Sequence, residues 1–265
     1  MKTTNLNPLF ILAMFILSVG LACNFTAGGT KEAPTIPPEP VATLAPPESV
    51  ESPKPSATPE KPLPTKIPRP TATLAPAEFY TEEFDTDPGS NWSFFVISGK
   101  KSSDESKVST TFEDGKMVFD IDDEELYAYY IYEPYSYSDV SLDMQAENRG
   151  KNTNNVSLVC RQNGEEWYEF SITSGGLWVL YAHSKDGYQW LGNGGTTALH
   201  MGKEVNEFSM ICQGITITMS VNATELKSIT DNTYKYREGV VGFNISSLDV
   251  IPVTVGVDWI KISQP

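Results

Sequence analysis

The stretch Val156 to Tyr181, VSLVCRQNGEEWYEFSITSGGLWVLY, constrains this chain more than any other. Val156, Leu158 and Cys160 are apolar on every second position, and Tyr168, Phe170 and Ile172 repeat the pattern after the Asn163-Gly164 turn signal. Gly175-Gly176 opens a third run, in which Leu177, Val179 and Tyr181 are read as the inward set. A period of two means strands with one face on a core. Three strands cannot bury that face alone, so the pattern requires a second sheet laid over the first.

Proline shows where such a sandwich can lie. Fourteen of the 19 prolines fall between Pro34 and Pro76, which leaves 79–265 as the globular candidate, long enough for one ordinary core. Residues 23–78 read as a Pro- and Thr-rich linker without regular structure, because proline lacks the N–H that ladders and helices need. Extended, fifty such residues would reach at most roughly 150 Å, a semi-rigid stalk. The charge lies beyond the stalk: residues 1–78 balance six basic against six acidic side chains, and 79–265 holds 13 against 28. So acidic a surface repels nucleic acid, which excludes nucleic-acid binding.

Residues 1–22 have a secretory layout: Lys2, an apolar run from Leu9 to Val19, then small residues. The run is shorter than the about 20 apolar residues of a membrane span. Gly20-Leu21-Ala22-Cys23 resembles the lipobox of bacterial lipoproteins, although the usual leucine lies one position further from the cysteine. The resemblance implies a diacylglycerol on Cys23, a lipid bilayer as partner, and an extracytoplasmic domain on the outer face of a bacterial envelope membrane; plain secretion is the alternative. Cys160 and Cys212 then form an even pair, each on the inward parity of its strand. A disulfide is allowed there, with two buried thiols as the alternative.

The rest of 79–265 reads as about a dozen short strands separated by Gly, Asn and Asp turns, with a turn near Thr224–Thr230 as the one helix candidate. The fold class is all-β, an antiparallel two-sheet jelly-roll sandwich. Glu83-Phe84-Asp85 with Trp92, Asp114-Gly115-Lys116-Met117, Tyr137-Ser138-Asp139-Val140, Trp167-Tyr168-Glu169-Phe170, Gly239-Val240-Val241-Gly242 and Val257-Asp258-Trp259 follow one another in an order that resembles concanavalin A-like lectin/glucanase domains. The relatives in view are the laminin-G-like and keto-disaccharide-hydrolase-like branches. The resemblance implies two curved sheets with glycan binding on the concave one.

Glucanases of that superfamily alternate two Glu and an Asp along one strand, so that period two aims them at the same sugar. Neither Asp120-Ile121-Asp122-Asp123-Glu124 nor Glu83-Phe84-Asp85-Thr86-Asp87 matches that pattern, and neither His183 nor His200 has a nucleophile in motif. The reading leans against an enzyme. Sugar binding instead asks for exposed rings beside polar groups. Arg161, Trp167, Glu169 and Trp178 stand on the outward parity of the meander, with Tyr188 and Trp190 on a flanking segment, and these six are the candidate ligand-binding residues. No cofactor is required. A structural Ca²⁺ on Asp85 or Asp87 with Asp258 is the one metal expectation, since hard oxygen ligands suit it. Three functions remain: a carbohydrate-binding-like lipoprotein, a glycoside hydrolase, or a structural, protein-binding envelope lipoprotein.

Overall fold

The computed structural model describes residues 75–151 and 154–265. The signal segment, Cys23 and all but the last four residues of the linker lie outside the described residues.

Among the described residues, fifteen strands numbered in chain order form two sheets in which every pairing is antiparallel. The eight-stranded sheet holds β1 (Tyr80–Glu82), β3 (Val108–Glu113), β4 (Lys116–Ile121), β6 (Val140–Asn148), β11 (Val205–Gln213), β12 (Thr216–Val221), β13 (Thr224–Thr230) and β15 (Val253–Ser263). Its order is β13-β12-β11-β6-β15-β4-β3, with β1 against β15. The seven-stranded sheet holds β2 (Trp92–Ser98), β5 (Leu126–Tyr137), β7 (Asn154–Asn163), β8 (Glu166–Thr173), β9 (Leu177–Ser184), β10 (Gly187–Gly195) and β14 (Gly239–Ser247). Its order is β10-β9-β8-β7-β14-β5-β2. The only helices among the described residues are two single 3-10 turns, so the domain is an all-β sandwich. The segment Thr224–Thr230, read as a turn from sequence, is strand β13, paired along β12.

The core lies between the sheets, built from Phe119 of β4, Met144 of β6, Leu158 of β7, Phe170 of β8, Phe243 of β14 and Ile260 of β15, all buried. The alternation in β7 and β8 sorts these residues as expected: Val156, Leu158 and Cys160, then Tyr168, Phe170 and Ile172, belong to the core. Cys160 on one sheet and Cys212 on the other are disulfide-bonded, with Cα atoms 6.8 Å apart. A covalent link therefore joins the two sheets through the core.

The third strand departs from the expectation. Trp178, Leu180 and Ala182 face the core, whereas Leu177 is exposed and Val179 and Tyr181 lie on the opposite face. Leu177 to Ala182 is apolar on both parities, so period two carries no information there, and the turn through Gly176 (φ +82°) sets the register. Near the amino end of the described residues, β5 holds residues 76–78. The hydroxyls of Tyr135, Tyr132 and Tyr137 donate to the carbonyls of Pro76 (2.9 Å), Ala77 (2.7 Å) and Glu78 (2.5 Å).

Candidate functional site

The face of the seven-stranded sheet turned away from the core changes character from one edge to the other. On β2 and β5 it is aromatic: Phe95 stacks on Tyr129 with centroids 5.0 Å apart, and Ile97, Tyr127 and Ile131 surround them. On the central strands β14, β7 and β8 it becomes polar, through Asn244, Ser246, Asn155, Ser157, Glu169 and Ser171. On β9 and β10 it is aromatic again. Tyr181 meets Trp190 at 85° and Tyr188 at 65°, with centroids 6.1 and 5.2 Å apart. The three rings thus stand as adjoining walls. A pocket of about 270 Å³ opens between these walls and the polar strands, lined by Tyr127, Asn155, Glu169, Ser171, Tyr181, Tyr188, Trp190 and Leu248.

A bulge aims Trp190 into this pocket. Trp190 pairs with Tyr181, but the next pair is Gly192 with Leu180, so the ladder slips at Leu191. In a regular strand positions 190 and 192 share a face; here Trp190 stands on the site face while Gly192 turns toward the core. The indole remains 63% exposed.

Glu169 is the electrostatic centre. The residue is 3% exposed. Oε2 accepts from the Tyr129 hydroxyl (2.9 Å) and the Trp167 indole N–H (3.1 Å), and Oε1 accepts from Asn244 Nδ2 (3.0 Å). No lysine, arginine or histidine among the described residues forms an ion pair with it. Tyr129 and Tyr188 share a hydrogen bond of 2.6 Å between their hydroxyls. Burial pushes the phenols of Tyr127, Tyr129, Tyr181 and Tyr188 above their ordinary value, and the nearby charge of Glu169 adds to the shift. All four stay neutral at physiological pH. Four oxygens of the polar strands, Asn155 Oδ1, Ser157 Oγ, Asn244 Oδ1 and Ser246 Oγ, are buried without a hydrogen-bond partner. Such groups are rare in a folded protein.

Of the six candidates from sequence, Glu169, Tyr188 and Trp190 line this pocket. Trp167 shares their face but lies buried under His183, whose ring stacks on it at 3.6 Å and 15°. The expectation of an exposed Trp167 is therefore corrected: its indole serves as packing and as a donor to Glu169. Trp178 is corrected too, because it faces the core and lies against Gly192 and Gly194 of β10. Arg161 is 1% exposed and points away from the pocket, because it sits in a bulge of β7 with φ +57°. Its guanidinium donates to the carbonyls of Ser138 (2.9 and 2.6 Å), Gly214 (2.8 Å) and Tyr236 (2.8 Å), and pairs with Asp139 at 3.4 Å. It ties three chain segments together at one end of the sandwich.

Tyr181, on the parity expected to face the interior, lines the pocket instead, beside Asn155, Ser171 and Leu248, which no sequence motif marks. The signal for the polar strip was the parity of Asn244 and Ser246, which alternate with core Phe243 and Ile245 and so share a face with Glu169.

The acidic runs lie elsewhere. Asp120 on β4 accepts from Thr254 Oγ1 at 2.8 Å, Asp123 caps the amides of Asp104 and Glu124, and Lys100 pairs with Glu124 at 2.8 Å. Among the described residues, Glu169 is the one carboxylate lining the pocket. The residues proposed for Ca²⁺ do not gather: Asp258 pairs with Lys116 at 3.1 Å, Asp87 caps Gly89 N at 2.8 Å, and no group of three His, Cys, Asp or Glu that could hold a metal forms among the described residues. A hollow of about 300 Å³ on the outer face of the eight-stranded sheet offers one indole, Trp259, among Asp143, Glu207 and Lys261.

Neither a family model nor a curated protein matches this sequence. Solved structures do. A Bacillus subtilis protein of unknown function with a galectin-like fold is similar at a TM-score of 0.56 and 10% identity, over 70% of this chain and 94% of that one. A Bacillus licheniformis β-glucanase is similar at a TM-score of 0.54 and 12% identity, over 71% and 99%. So is a Bacteroides ovatus GH16 protein in complex with a mixed-linkage glucan product, at a TM-score of 0.54 and 11% identity, over 69% and 99%. The identities are low, but each of those chains is covered almost completely, and what they share with this chain is the fold: a two-sheet jelly-roll sandwich.

Proposed function

We propose that this chain is an extracytoplasmic lipoprotein, anchored in a bacterial envelope membrane through lipid on Cys23, whose sandwich domain binds carbohydrate without cleaving it. One observation carries the reading: an exposed indole and two phenols stand around a strip of buried carboxylate, amide and hydroxyl groups. Sugar rings present C–H faces that lie against aromatic rings and edges of hydroxyls that need paired polar partners. The glucan held by the Bacteroides ovatus protein of the same fold supports a glycan as the ligand class. The single carboxylate in the pocket favours binding over hydrolysis. The proline-rich segment between Cys23 and the first strand would act as a stalk that carries the domain away from the lipid.

A glycan array probed with the full-length chain tests this function. The expected result is binding to at least one oligosaccharide class, lost in Trp190→Ala, with no release of reducing ends. An array on which wild type and Trp190→Ala are both blank would return the chain to a structural or protein-binding role. Reducing-sugar release abolished by Glu169→Gln would instead make it a hydrolase.

A further inference from the structure

The pocket has a chemical bias that a general sugar site lacks. Glu169 is a buried carboxylate with no cation against it, it receives three hydrogen bonds and donates none, and it lines the pocket. A carboxylate can accept about four hydrogen bonds, so one position is left. Asn155 lines the same space, and its side-chain carbonyl oxygen is buried without a hydrogen-bond partner. The walls are the rings of Tyr127, Tyr181, Tyr188 and Trp190, and Tyr181 stands steeply to both Trp190 (85°) and Tyr188 (65°). Ring faces carry negative potential, and rings set at steep angles around one volume attract a cation. The chain as a whole adds a net charge of −15, which repels anionic sugars and draws in cationic ones.

We propose that this pocket selects amino sugars with a free, protonated amine, and that the ammonium sits against Glu169 between the Tyr181, Tyr188 and Trp190 rings. The inference rests on the carbohydrate-binding reading and narrows it to one ligand class. An ammonium supplies three donors to a lining rich in acceptors, where a hydroxyl supplies one. An N-acetyl group removes the charge and adds bulk, so acetylation abolishes the preference. The amide and hydroxyl groups of Asn155 and Ser171 argue for a sugar rather than a bare alkylammonium head, which would leave them without partners.

The test is calorimetric titration of the full-length wild-type chain with three probes of equal length: glucosamine tetrasaccharide, N-acetylglucosamine tetrasaccharide and cellotetraose, below the pKa of the sugar amine. The account expects glucosamine tetrasaccharide to bind at least tenfold more tightly than either neutral probe. It also expects Glu169→Gln, checked for an unchanged fold by circular dichroism, to erase that difference. Equal or tighter binding of a neutral probe overturns the amine preference and leaves the carbohydrate reading intact. Binding of none of the three, together with a blank glycan array, overturns both. Choline binding as tightly as glucosamine tetrasaccharide overturns the sugar part of the proposal. Because the wild-type comparison decides by itself, a Glu169→Gln variant that fails to fold does not blunt the test.

Discussion

The Trp178 indole lies so close over Gly194 that a β-carbon there would come within 2.7 Å of its ring. Trp178 faces the core from β9, and the glycines of β10 leave the room it occupies. Gly194→Val is therefore expected to destabilise the domain by about 1–3 kcal/mol through overpacking. Gly195→Ala meets only ordinary contacts, the nearest at 3.7 Å, and serves as the control. Urea denaturation of both variants checks this, with a lower midpoint expected for Gly194→Val alone.

Arg161 makes a second, separable prediction. Its guanidinium satisfies the carbonyls of Ser138, Gly214 and Tyr236, and removing it strands those acceptors. Each buried group left without a partner costs about 1–3 kcal/mol, so Arg161→Met is expected to lose at least about 2 kcal/mol. Because the side chain points away from the pocket, ligand affinity measured where the variant is still folded should match wild type. A variant of wild-type stability with weakened binding would contradict this assignment.

The disulfide between Cys160 and Cys212 closes a loop with a sequence separation of 52 and joins the two sheets. Constraint of the unfolded chain at that loop length contributes about 4 kcal/mol in the chain-entropy model. The double variant Cys160→Ala/Cys212→Ala should therefore lose about 2–5 kcal/mol, read from the denaturant midpoint. Loss of no more than a few tenths of a kcal/mol would mean the bridge adds nothing.

Asp231 gives a pH signature. Burial by itself would raise its carboxyl, but the Tyr168 hydroxyl (2.6 Å) and the amides of Lys235, Thr233 and Tyr234 outweigh burial and hold it below the ordinary 3.8. A depressed folded-state value stabilises the fold above the unfolded pKa, and that contribution is lost as pH falls through the folded one. Stability should fall on acidification below about pH 4, and the slope in that window should be shallower in Asp231→Asn, as thermal melts at stepped pH would record.

How far the sequence could be read depended on whether neighbouring parities differed. In β7 and β8 one parity is apolar and the other mixed, so Leu158, Cys160, Tyr168 and Phe170 are legible as core. Leu177 to Ala182 is apolar throughout, and Tyr181 could not be told from Leu180 until the turn at Gly176 fixed the register. Arg161 and Trp190 are set by bulges, which redirect a side chain without leaving a signature in residue type. Hence parity alone puts Arg161 on the wrong side, and Trp190 stands out in sequence only as an aromatic on a flanking segment. Ser157, Asn244 and Ser246 look in sequence like ordinary outward polar residues, yet all three are buried and their side-chain oxygens lack partners.

The central claim is that ligand enters between Trp190, Tyr181 and Tyr188, and the five tryptophans offer a direct measurement of it. In the full-length chain labelled with 5-fluorotryptophan, titration with glucosamine tetrasaccharide and with a mixed-linkage glucan tetrasaccharide is followed by fluorine NMR. The account predicts that the Trp190 resonance, assigned by its loss in Trp190→Phe, moves to saturation while those of core Trp92 and Trp178 stay fixed. A titration in which Trp190 is unmoved, or in which Trp259 on the opposite sheet responds instead, would contradict it.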